Sequence, residues 1–217
     1  MRIWRQLTVW LHILTSVGWM AQALALCVML ATGLASGDPV TRQASTTMAL
    51  ATDGRLLGPM ADASAYTGIM LAAGTAWGFF RFWWVAAKLG ITVVQLFAGI
   101  FLLSPQLQAS AVAGPRPLQV VATALMASAI AFQAWLSVAK PWGPLRRGPR
   151  LPTAPAWVFM SAVLGGLADL VLALILGHPM PLLSIVLLIV VLSKPRRAEK
   201  PITHGPHGYE AQRGRRP

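Results

Sequence analysis

The stretch AWVFMSAVLGGLADLVLALIL, residues 156–176, has one ionisable side chain, Asp169. A helix needs about 20 mostly apolar residues to cross the ~30 Å hydrocarbon core of a bilayer. Pro155 stands before the stretch and Gly177 after it, where helix ends prefer such residues. The reading is a membrane-spanning helix. It sets the fold class, because the chain repeats the pattern on both sides.

Working toward the N-terminus, residues 118–139 form a similar run, closed by Lys140-Pro141. Residues 84–103 form another, ended by Ser104-Pro105. Residues 56–77 are the weakest by hydropathy and contain Pro59 and Asp62. Pro59 falls in the first turn, where its missing N–H costs little. Residues 7–32 are too long for the apolar core of a signal peptide, about 7–15 residues. They follow Arg2 and Arg5 and read as a first span. Toward the C-terminus, residues 181–193 give only about 20 Å of helix.

Charge decides how that last segment is read. With six spans and the N-terminus inside, the cytoplasmic side collects Arg2, Arg5, Arg81, Lys88, Lys140, Arg146, Arg147, Arg150 and seven basic residues from Lys194 onward. Only Arg42, Arg55 and Arg116 fall outside. Five spans would put Lys194, Arg196, Arg197 and Lys200 outside, against the positive-inside rule. The expectation is an all-α polytopic bundle over residues 1–195, with six spans and both termini cytoplasmic. The alternative is five spans plus a short interfacial or re-entrant helix. Residues 35–54 read as an external loop or short surface helix. Residues 196–217 read as a basic disordered cytoplasmic tail.

Composition agrees. The chain is 56% hydrophobic and 11% charged, against about 25% charged for a soluble domain. The net charge of +12 is distributed as orientation signals, and no nucleic-acid-binding signature is present. The expected partners are the lipid bilayer and other membrane proteins, with no nucleic acid. The single cysteine, Cys27, excludes an internal disulfide framework and reads as a small packed residue.

Few residues here carry chemistry. The segment Trp77 to Lys88 is dense in Trp, Phe, Arg and Lys, as expected of an anchor at headgroup level. His12, Arg81, Trp83, Trp84 and Lys88 are candidate interfacial contacts for lipid or quinone. His12 lies within span one. His178 is at the opposite end and His204 and His207 are in the tail, so no second axial ligand for haem exists at the depth of His12. No cofactor or metal is expected. Asp62 and Asp169 are costly in a bilayer and must face the bundle interior. Each is about 10 Å below the outer boundary on antiparallel spans. Gln22 and Gln95 lie somewhat deeper. Together they form a candidate polar layer for a proton or cation.

One block carries a family resemblance. Gly74-Thr75-Ala76-Trp77-Gly78, with Arg81, Trp84-Val85 and Lys88 following, is similar to a Gly-Thr-x-Trp-Gly…Arg-x-x-Trp-Val…Lys block. It occurs between two spans of a family of bacterial integral membrane proteins with no established activity. Leu11-His12 through Trp19 and Lys140-Pro141-Trp142-Gly143 agree with the same family. The resemblance implies fold and location, not activity. That family often has His or Tyr near Phe82. Phe in this chain argues against a titrating or metal-binding role there. No catalytic motif is present. The expected role is a non-enzymatic scaffold or accessory subunit. The alternatives are a small proton- or cation-coupled transporter and a quinone-contacting redox subunit.

Overall fold

The computed structural model describes residues 2–146 and 152–193. The tail at 196–217, with His204 and His207, lies outside the described residues, as do Arg147, Arg150 and Lys194. The described chain is helical without strands. Helix α1 is Arg2–Ala35, α2 is Pro39–Thr52, α3 is Gly58–Gly74, α4 is Trp83–Phe97 and α5 is Ser104–Ala113. Helices α6 (Pro117–Ala139), α7 (Ala156–Leu176) and α8 (Leu182–Ser193) follow. π-helical turns join α2 to α3 at Asp53–Leu57 and α4 to α5 at Ala98–Leu103.

Four helical runs are long and apolar enough to cross a membrane: Arg2–Ala35, Trp83–Ala113, Pro117–Ala139 and Ala156–Leu176. The protein is therefore built as a membrane protein. α3 has 17 residues and α8 has 12, so length alone does not qualify them.

Two sequence boundaries need correction. Ser104-Pro105 does not end a helix. The widened turn before it absorbs the missing proline N–H, and the helix continues to Ala113. Residues 39–52 are not a loop. Asp38 caps them, accepting hydrogen bonds from Val40 N and Thr41 N, and Pro39 suits the first turn.

Successive runs alternate in direction. At one end Leu145 N donates to Arg81 O (2.8 Å), Ala154 N to Gly74 O (2.9 Å) and Thr8 Oγ1 to Phe159 O (3.2 Å). At the other end Gly33 abuts Ser45 and Pro115, and Gly58 abuts Pro179. The principal core cluster joins Tyr66 and Met70 of α3, Val158, Phe159 and Ala162 of α7, and Val191 of α8. Small residues permit this packing. A Cβ on Gly165 would lie 2.6 Å from Leu187, and one on Gly74 would lie 2.7 Å from Phe159.

Candidate functional site

Helix α8 begins below the end of α7. Its first turn presents backbone N–H groups with no intrahelical acceptor. In hydrocarbon such groups need a partner from the protein. Asp169, seven residues before the end of α7, supplies it. Its carboxylate accepts from Leu183 N at 3.2 Å and Ser184 N at 2.6 Å. The N-terminus of α8 therefore sits about 10 Å below the last turn of α7. From that depth a 12-residue helix, ~18 Å long, has only about 20 Å of hydrocarbon left to cover. Leu187 packs at Gly165, and Val191 reaches the Phe159 cluster.

Asp62 and Asp169 line one small cavity, with Pro59, Ala63, Pro179 and Ser184 among its walls. Its volume is about 10 Å³, near the minimum for a single water molecule. An organic substrate does not fit. A proton, one water or one small monatomic cation does. Asp169 is buried and Asp62 half-buried.

Gln22 and Gln95 do not line this cavity. Gln95 belongs to a ladder on the opposite seam, between α4 and α6. Lys88 Nζ donates to Ser137 Oγ (2.6 Å), and Ser137 Oγ to Gln133 O (3.1 Å). Thr92 Oγ1 donates to Gln133 Oε1 (2.9 Å), Gln133 Nε2 to Gln95 Oε1 (2.6 Å), and Gln95 Nε2 to Met126 O (3.0 Å). Each amide is satisfied on both sides, so the ladder works as adhesive between two apolar helices.

The interfacial candidates also separate. The His12 ring is turned into the α1–α3 seam, where Nδ1–H donates to Ser64 O (3.0 Å) and Thr67 Oγ1 lies 3.2 Å away. Ser16 and Ser64 hydroxyls meet beside it at 2.7 Å. Lys88 is engaged by α6, and Trp84 packs edge-on against Trp77 at 5.2 Å. Arg81 holds the neighbouring loop through its backbone carbonyl. Trp83 remains exposed.

Sequence reasoning missed Ser184, Gln133, Thr92 and Ser137. Gln133 is the one polar residue of the run Ala129–Leu136, which was the available signal. Among the described residues no group of three His, Cys, Asp or Glu side chains could hold a metal ion. Compared with protein-family models, curated proteins and solved structures, the chain matches none.

Proposed function

We propose that this is a six-span, non-enzymatic protein of a bacterial cell membrane that takes up a proton or small monovalent cation at Asp62 beside Asp169. The observation that carries this reading is the shared cavity, which has room for nothing larger. The amides of α8 hold Asp169 in its charged form, because N–H donors and a helix N-terminus both favour a carboxylate. Asp62 then faces a fixed negative charge in a poorly solvated site. It is satisfied by binding a proton or a cation. A broken helix whose N-terminus opens into a polar cavity is also a common architecture for coupling ions in transporters. The immersed start of α8 and the basic residues after Ser193 support a sixth crossing and a cytoplasmic C-terminus. The resemblance of the Gly74–Lys88 block supports the bacterial assignment and rests on those residues alone.

The test uses the full chain in liposomes loaded with a pH dye, under an imposed sodium or proton gradient. Gradient-dependent proton movement should be lost in Asp62→Asn, with helicity and yield unchanged. Proton movement equal to wild type in that variant would sink the reading.

A second reading, an accessory subunit, is favoured by the sparse packing of α4, which buries only Val85 and Gln95. Val93, Val94, Phe97, Ile100 and Phe101 face outward and fit a neighbouring membrane protein. Co-purification from native membranes tests it. A stoichiometric partner lost with Val94→Ala and Phe97→Ala supports it, and a chain purified alone opposes it.

A further inference from the structure

At the end of the bundle opposite the carboxylate cavity, an open cleft of about 540 Å³ lies between two tryptophans. Trp83 and Ala87, one helical turn apart, form one wall on α4, and Trp142 and Gly143 form the other. The second wall is built at a conformational cost. Lys140 has φ 45° and Trp142 has φ 65°, both left-handed without being glycine. For a bulky residue such as Trp this is a true outlier, worth about 1–3 kcal/mol. The loop is nevertheless pinned. Phe82 pairs with Pro144, and Arg81 O accepts from Leu145 N and Arg146 N. The result holds both rings open, 52% and 58% exposed.

The rim of this cleft is cationic. Lys140 and Arg146 are exposed beside it, and Arg81 lies two residues before Trp83. The chain has no acidic residue between Asp62 and Asp169, so nothing on these segments offsets the charge.

We propose that the Trp83–Trp142 cleft is a binding site for one anionic phospholipid of the adjoining leaflet. The glycerol and upper acyl chains lie between the indoles, and the phosphate meets Lys140 and Arg146. Tryptophan suits this level because its ring is apolar while its N–H can reach the wet side. The volume falls within the 300–1,000 Å³ of small-ligand sites. The rim charge selects the headgroup, since basic residues beside a membrane favour anionic over zwitterionic lipid. The site lies at the other end of the bundle from Asp62 and does not depend on cation uptake.

Native mass spectrometry of the purified full chain tests it. The protein is titrated with phosphatidylglycerol and, separately, with phosphatidylcholine of the same acyl chains. One phosphatidylglycerol should persist at activation energies that strip phosphatidylcholine. Trp142→Gly removes the ring yet accepts the positive φ, so the loop keeps its path. It should weaken retention of that lipid at least about fivefold, or ~1 kcal/mol. Lys140→Gln with Arg146→Gln should erase the preference for phosphatidylglycerol while leaving phosphatidylcholine binding unchanged. Equal retention of the two lipids by wild type would overturn the proposal. So would full retention by Trp142→Gly, or a lipid-independent dimer that Trp142→Gly dissolves, which would assign the cleft to a second copy of the chain.

Discussion

Replacing Asp169 measures what holds α8 in place. In Asp169→Ala two backbone donors, Leu183 N and Ser184 N, lose their acceptors. A buried donor left unsatisfied costs about 1–3 kcal/mol, so the pair costs about 2–6 kcal/mol. An opposing effect exists. Removing the carboxylate also removes the desolvation of a buried charge, several kcal/mol in an apolar surrounding. The short Ser184 bond at 2.6 Å and the helix N-terminus already offset much of that penalty, so the orphaned amides decide the sign. Asp169→Asn separates the two effects. It sheds the charge but keeps one oxygen acceptor, and should fall about 1–3 kcal/mol below wild type, with Ala lower still. Reversible unfolding in mixed micelles gives the stabilities. Hydrogen exchange at Leu183 and Ser184 should accelerate in the same order. An Ala variant as stable as wild type, with unchanged exchange at those amides, would refute the capping argument.

Three further outcomes follow from the packing. Gly165→Val should separate α7 from α8, because even its Cβ falls 2.6 Å from Leu187 and 3.0 Å from the Tyr66 hydroxyl; a drop in unfolding midpoint larger than that of Gly90→Val, where the space is open, checks it. Gln133→Leu strands Thr92 and Gln95 and should cost about 1–3 kcal/mol, whereas adding Gln95→Leu and Thr92→Val should recover most of it in a mutant cycle. Hydrogen bonds from the Thr41 hydroxyl, and then the Thr41 and Val40 amides, hold the Asp38 carboxyl below its ordinary 3.8. Its stabilisation is thus present above that pH and lost as pH falls through the lowered native value. Thermal midpoints of wild type and Asp38→Ala should therefore converge in strong acid.

Hydropathy alone reveals the apolar runs and the proline and glycine boundaries, because bilayer thickness and backbone hydrogen bonding dictate both. Matched depth is legible too, since rise per residue is fixed. It places Asp62 and Asp169 at one level, and both line one cavity. Rotation about the helix axis is not legible. When every face is apolar, no moment tells which side Gln95 or Gln133 presents, so their pairing waits on the packing of α4 against α6. The same blindness hides the use of Asp169. Its acceptors are spent on backbone amides, which carry no side-chain signature. The helix across Ser104-Pro105 was missed because proline is ordinarily a stop signal, and the π turn that rescues it leaves no mark on composition.

Those two wide turns have a bearing on how the sequence tolerates length changes. A π turn is an α-helix carrying one surplus residue. Deleting a residue from Ala98–Leu103 would tighten the turn to ordinary pitch and swing everything after it by about 100°. Ser104, whose hydroxyl now donates to Asp53 at 2.8 Å, would point elsewhere. The Asp53–Leu57 turn lies across that same hydrogen bond, so a matching deletion there would rotate Asp53 as well. The two helices are phased to each other like meshed gears. Single-residue indels in either turn should be poorly tolerated alone and better tolerated as a compensating pair.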